Sequence, residues 1–260
     1  MDLFYRKLAC SGDDAAASKE TLLLLHGLFG SADNVGGIAR ILQHDFNLIA
    51  VDHRNHGRSP HADQMDYNVM AADVLAVMDN EGLENAYVFG HSMGGKVAMQ
   101  LALTHPSRVK KLIVADIAPV KYEAHHDSIL AGMKKVEEEA PESRKEAMRI
   151  LASYESEADI ISFLATNWRR DKNGQWGWRI NLDVIAGDYA NIAAANSGSA
   201  YAGDVLFLRG GTSDYIKAEH RETILKLFPK ATVRTIEGVG HWLHAEKPDM
   251  VARAMNRFLT

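Results

Sequence analysis

A mostly parallel β-sheet with helices packed on both faces is the α/β fold class that this 260-residue chain predicts. Three observations carry it. Short apolar runs alternate with stretches of helical periodicity over most of the sequence. The run Thr21-Leu22-Leu23-Leu24-Leu25 is continuously apolar after its first residue, as a central strand covered on both faces must be. Finally, Gly90-His91-Ser92-Met93-Gly94 stands between an apolar run and a helix pattern, where a sharp strand-to-helix turn belongs.

The elements follow in order. A first strand is expected over 4–9 and a small, polar turn over 11–18. The strand ending at Leu25 leads into His26-Gly27, and the next, Asn47-Leu48-Ile49-Ala50-Val51-Asp52, ends at the edge where loops carry chemistry. Asp66-Tyr67-Asn68 starts a helix through Leu83, with Val69, Ala72, Leu75, Ala76 and Met78 near helical spacing. Ala86-Tyr87-Val88-Phe89 is a strand, 95–103 a helix, and Leu112-Ile113-Val114-Ala115 a strand that stops at Asp116.

Between 119 and 199 the alternation ceases. Segments 128–139, 143–153 and 157–168 each read as amphipathic helices, with Glu137-Glu138-Glu139 on a solvated face. An all-helical insertion here would form a cap above Ser92. The alternation resumes with a strand over 205–209, a helix over 217–228, a strand over 232–236 and a helix over 245–259. The expected organisation is therefore a core of 1–118 and 200–260 and a helical cap of 119–199. No internal repeat or low-complexity tract interrupts it.

Composition suits a soluble enzyme. At 260 residues and 47% hydrophobic, the chain can bury one full core plus an insertion. A formal net charge of −5 gives no general electrostatic case for nucleic acid or an anionic membrane. No apolar run approaches the roughly 20 residues that span a bilayer, and no basic-then-apolar leader opens the chain. A single cysteine, Cys10, cannot form an internal disulfide, which fits a reducing cytoplasm.

Chemistry concentrates at the turn around Ser92. Glycines two residues to either side let the chain reverse without Cβ clashes, so that Oγ projects above the sheet as a nucleophile. Its base is expected at His241: Gly238 and Gly240 make a loop able to swing an imidazole over the sheet edge, and histidine titrates near neutrality. The N–H of Leu28, exposed by the His26-Gly27 turn, pairs with the N–H of Met93 as an expected oxyanion hole. Two acids could orient the imidazole. Asp116 ends its strand directly; Asp214 follows the next strand, with Ser213 beside it as a possible hydrogen-bonding helper. Spacing favours Asp116 and leaves Asp214 open as the alternative.

His26-Gly27-Leu28-Phe29-Gly30-Ser31, Asp52-His53-Arg54-Asn55-His56-Gly57-Arg58-Ser59 and Gly90-His91-Ser92-Met93-Gly94-Gly95 together resemble the three N-terminal signatures of the α/β-hydrolase superfamily. Asp116-Ile117-Ala118-Pro119 and Gly240-His241-Trp242 with Glu246-Lys247-Pro248 narrow the resemblance to the YbfF-type bacterial esterases and a related mitochondrial branch. That resemblance implies an α/β-hydrolase fold and hydrolysis of carboxylic esters, extending to acyl-CoA thioesters. It also implies a triad acid at the position of Asp116 and a serine at that of Ser213. No cofactor is implied, and a monomer is the default for the architecture, with a dimer possible. The rival functions are a carbon–carbon hydrolase or synthase/lyase on the same triad, and a ligand-binding protein that keeps the triad without turnover.

In the cap, Trp168, Trp176 and Trp178, with Met133 and Phe163, offer apolar surface for an acyl crevice; Phe29, Trp168 and Trp178 are the expected substrate contacts. The loop 52–59 gathers Asp52, His53, Asn55 and His56, but its spacing matches no zinc motif, so no metal is expected. Arg54 reads instead as a hydrogen-bond hub for the loops around His26.

Overall fold

The computed structural model describes residues 1–12 and 20–260; the turn expected over 11–18 lies outside the described residues from position 13 onward. In chain order the elements are β1 (Tyr5–Leu8), β2 (Thr21–Leu25), α1 (Gly36–Leu42), β3 (Asn47–Val51), α2 (Tyr67–Asn80), β4 (Ala86–His91), α3 (Met93–Thr104) and β5 (Val109–Ala115). There follow α4 (Asp127–Glu139), α5 (Arg144–Leu151), α6 (Ala158–Ala165), β6 (Trp168–Arg170), β7 (Trp176–Trp178), α7 (Leu182–Gly187) and α8 (Tyr189–Ile192). The chain closes with β8 (Asp204–Gly210), α9 (Arg221–Leu227), β9 (Ala231–Ile236), α10 (Leu243–Glu246) and α11 (Pro248–Leu259). Seven strands make one sheet in the order β1-β3-β2-β4-β5-β8-β9, and β6 pairs with β7 apart from it. β1 runs antiparallel to β3; the other pairings of the large sheet are parallel.

Side chains on a strand alternate between faces, and here each face meets its own core. Leu23 and Leu25 of β2 join the layer of α2, α3 and α9, whereas Leu22 and Leu24 join that of α1 and α11. Leu112 and Val114 divide from Ile113 and Ala115 in the same way along β5. With both faces covered, the central strands β2 and β3 read as apolar runs after their first residue, and each fully buried leucine contributes roughly 2 kcal/mol of burial free energy.

Four local readings differ from the structure. α1 was not among the expected elements; its Ile38 and Leu42 bury in the core that holds Val251 and Met255. The expected helix over 245–259 is two, since Pro248 has no N–H to donate and opens α11 afresh. The expected helix over 217–228 begins as a single 3-10 turn and continues as α9. The segment between β5 and β8 is not all helical: the helix expected over 157–168 stops at Ala165, and β6 and β7 form an antiparallel ribbon pairing Trp168 with Trp178. The ribbon turns where Gly174 takes a φ of +83° and Asp171 Oδ1 accepts from the N–H groups of Asn173 and Gln175. Among the described residues no helix is long and apolar enough to cross a membrane.

Candidate active site

Ser92 sits between β4 and α3 with φ 52° and ψ −120°, a conformation L-residues rarely adopt. Its N–H donates to Ala115 O (2.9 Å), which continues the β4–β5 ladder, and its carbonyl accepts from Lys96 N–H (3.1 Å), which opens the helix. The flanking glycines follow from contact distances. A Cβ on Gly90 would lie 2.1 Å from Gly94 O, and one on Gly94 would lie 2.5 Å from both His26 O and Leu25 O. The obstructing atoms are backbone, so no side-chain adjustment relieves them.

From this turn Ser92 Oγ donates to His241 Nε2 at 2.9 Å, and His241 Nδ1–H donates to Asp116 Oδ2 at 2.8 Å. Asp116 is fully buried and also has a positive φ, 52°. Its N–H donates to Leu208 O, and the left-handed turn carries its carboxylate to the end of β8. There Gly210 N–H donates to Oδ1 (2.8 Å), and Ser213 Oγ–H donates to Oδ2. Three donors thus answer the buried carboxylate. Asp214 is exposed one residue beyond Ser213 and makes no hydrogen bond with His241. His241 is held from two further sides. His91 Nε2–H donates to its carbonyl (2.8 Å), and the Tyr215 ring stacks on the imidazole at 4.0 Å.

The loop bearing Leu28 hangs on neutral imidazoles. His26 donates from Nδ1 to Gly27 O (2.8 Å) and accepts at Nε2 from His53 N–H (3.0 Å). His56 donates from Nδ1 to Arg54 O (3.0 Å) and accepts at Nε2 from Phe29 N–H (3.1 Å). Burial lowers His26 to about 4 and His56 to about 3, so both keep the single ring proton this pattern needs. Asp52 completes the frame by accepting from Ala32 N–H (2.6 Å) and Arg58 N–H (2.8 Å). Among the described residues no protein acceptor takes the N–H of Leu28 or of Met93, and both residues border the cavity that holds Ser92. No group of three or more His, Cys, Asp or Glu among the described residues is arranged to hold a metal. Arg54 is a hub, but toward α2: it pairs with Asp73 (2.6 and 2.9 Å) and donates to Gln64 O, while the contact to His26 comes from His53.

The cavity at Ser92 is narrow, about 50 Å³, and is bordered by His125, His126, Tyr189 and Ile192 from the segment between β5 and β8. It shares Tyr122, Tyr189 and Ala193 with an open groove of about 590 Å³. The expected substrate contacts lie elsewhere. Trp168 is buried, donates from Nε1 to Pro141 O (2.9 Å) and meets the Trp178 ring edge-on at 5.1 Å; Trp178 donates to Met133 O (3.0 Å). These indoles form the segment's own core because their polar edges are already spent on its backbone. Phe29 is buried with φ 60° and its ring stands edge-on to His126 at 6.1 Å, outside the cavity lining. The sequence reading missed Tyr215, His91, His126 and Lys96. Of these, only His91 and Lys96 lay close enough to Ser92 in sequence to give a signal.

Comparison with known proteins agrees with this architecture. Residues 20–248 match the model of the alpha/beta hydrolase fold family. The chain is 41% identical over 239 residues to Esterase YbfF of Escherichia coli strain K12, covering 92% of each chain. It is 39% identical over 255 residues to the sn-1-specific diacylglycerol lipase ABHD11 of Mus musculus, covering 95% of this chain and 83% of that one. A solved structure of a marine microorganism esterase superposes with a TM-score of 0.92 at 41% identity, covering 99% of both chains. With the seven-stranded sheet, the strained serine turn and a match across most of its length, the chain belongs to the α/β-hydrolase family.

Proposed function

We propose that this protein is a carboxylic ester hydrolase working through an acyl-enzyme on Ser92. The observation that carries the reading is the unbroken relay from Ser92 Oγ through His241 to Asp116, at 2.9 and 2.8 Å. The esterase and lipase names of its relatives support the substrate class.

In the first step Ser92 Oγ attacks the ester carbonyl while His241 Nε2 takes its proton. Asp116 holds the imidazole in the tautomer that leaves Nε2 free and stabilises the imidazolium, with Ser213 and Gly210 fixing the carboxylate. The N–H groups of Leu28 and Met93 receive the carbonyl oxygen as it becomes negative, each lowering the barrier by about 3 kcal/mol. The C–O bond breaks, the alcohol leaves with the proton from His241, and the acyl group stays on Ser92. A water then gives its proton to His241 and its hydroxyl to the acyl carbon. Ser92 recovers the proton and the acid departs.

The reading extends to acyl-CoA thioesters, with residues 119–199 as the cap over the site and the cytoplasm as the working compartment. Initial rates on acyl esters and acyl-CoA thioesters of matched chain length test it, with Ser92→Ala as the blank. Turnover that disappears in the variant is expected. Turnover retained in the variant, or absent from every substrate in the wild type, overturns it.

A further inference from the structure

Four residues after the nucleophile, α3 carries a lysine where the fold has every reason to prefer an apolar or neutral side chain. Lys96 is 1% exposed and borders the same cavity as Ser92. Its Nζ donates to Val120 O and, at 2.7 Å, to Ala194 O, and stands 5.8 Å from the Tyr67 ring and 5.2 Å from the Tyr122 ring. No carboxylate pairs with it among the described residues, and none borders the cavity. An ammonium has three N–H donors, and two carbonyls take two of them.

Bridging two backbone carbonyls does not require a charge. One turn further along α3, Gln100 Nε2 bridges two carbonyl oxygens with a neutral amide, one on the Asn68 side chain (Oδ1, 2.8 Å) and one on the backbone (Ser197 O, 3.0 Å). Burying a cation without an opposing charge is costly, and burial alone already draws Lys96 down to about 7. Two carbonyl oxygens and two tyrosine rings attend the cation, but no opposing charge and no third acceptor do so among the described residues, and this is at the wall of the cavity that holds Ser92. That cavity is narrow, while the groove joining it is wide and open. The part of the substrate that stays on Ser92 through both steps belongs at the narrow end, and the leaving alcohol at the open one.

We infer that the ester's acyl portion ends in a carboxylate, and that Lys96 is the specificity-determining residue that receives it. This rests on the reading of Ser92 as nucleophile. It makes the substrate class monoesters of dicarboxylic acids. Binding of the carboxylate completes an ion pair inside a low-dielectric site, where charged hydrogen bonds are at their strongest.

The test compares monophenyl esters of succinic, glutaric and adipic acids, each against a methyl-terminated phenyl ester of equal chain length. In the wild type at least one carboxylate ester should exceed its neutral partner by about tenfold or more in kcat/KM, the scale of a charged hydrogen bond. Lys96→Gln keeps an amide able to bridge the carbonyls and removes the charge; the preference should fall about tenfold or more, and Lys96→Arg should restore part of it. Preference for the neutral ester at all three lengths in the wild type overturns the inference. So does a preference unchanged in Lys96→Gln, or one seen only when the carboxylate is moved to the alcohol half. If neither ester series is hydrolysed, the ester-hydrolase reading fails separately. Calorimetric titration of the intact protein with succinate, glutarate and adipate against butyrate, pentanoate and hexanoate then decides: tighter dicarboxylate binding sustains the role of Lys96, and equal binding overturns it.

Discussion

Replacing Asp116 by asparagine changes one atom of the relay and should disable it. The carboxylate accepts three hydrogen bonds, from His241 Nδ1–H, Ser213 Oγ–H and Gly210 N–H. With its oxygen at the Oδ2 position an asparagine would set its NH₂ against the backbone N–H of Gly210, which cannot turn away; with its oxygen at Oδ1 it keeps Gly210, and the NH₂ faces Ser213 Oγ, which can turn to accept, and His241 Nδ1. Two donors then face each other at Nδ1, and the imidazole escapes by moving its proton to Nε2. In that tautomer Nε2 cannot accept the proton of Ser92. The same substitution in a serine-protease triad lowers kcat by about 10⁴-fold, which corresponds to about 5 kcal/mol of lost transition-state stabilisation. We expect a loss of that order for Asp116→Asn and, because Asp214 is exposed and outside the relay, less than about threefold for Asp214→Asn. The assay is kcat at saturating ester for both variants, with thermal melts to show that each is folded. Asp116→Asn within tenfold of wild type, or comparable losses in both variants, would refute the argument.

Gly94→Ala sets a Cβ 2.5 Å from two backbone oxygens and should destabilise the fold by about 3 kcal/mol, read from the urea midpoint; an unchanged midpoint would show that the turn tolerates the atom. Arg54→Leu leaves Asp73, among the described residues, with only the terminal amine of Met1 for a cation, and about 3 kcal/mol of stability should go with it; a loss under 1 kcal/mol would mean the pair is solvated. Burial holds His26 at about 4 and His56 at about 3, below the ordinary 6.5, so as pH falls the unfolded chain takes up protons first. Their contribution to stability is whole above pH 6.5 and is lost from there toward pH 3 to 4, at up to about 1.4 kcal/mol per pH unit for each histidine. Urea melts at pH 7 and pH 5 measure this, and equal midpoints would contradict it.

The features readable in the sequence are those set by neighbours in the chain. Ser92 and His241, the proposed nucleophile and base, carried local signals: glycines two residues from Ser92 with a strand and a helix on either side, and Gly238 and Gly240 before His241. Spacing favoured Asp116 over Asp214 but left the alternative open, because both follow strands of a parallel sheet. What distinguishes them is a left-handed residue at 116 that aims the carboxylate at the N–H of Gly210, 94 residues away. The tryptophans misled for a similar reason. Trp168 and Trp178 are paired by ribbon register, and that pairing directs both rings inward. Tyr215 is 26 residues from His241 in sequence and touches it only because β8 and β9 lie side by side. The missed α1 shows that burial of Ile38 and Leu42 can outweigh two glycines of poor helix propensity.

α3 has a consequence for anyone who would recombine this scaffold. The helix that begins beside Ser92 also carries Lys96 and Gln100. Their donors end on Val120 O, where the chain has just left the sheet, and on Ala194 O and Ser197 O, where it is about to return. Asn196 reciprocates by donating to Lys96 O at 2.9 Å. Entry and exit of the seventy-odd residues between the two seams are thus stapled to a single helix. A chimera that imported another protein's insertion at these seams would leave both α3 side chains facing carbonyls they were not matched to. The transplantable module is the insertion together with the outer face of α3, and that face cannot be redesigned without also setting the ground on which Ser92 stands.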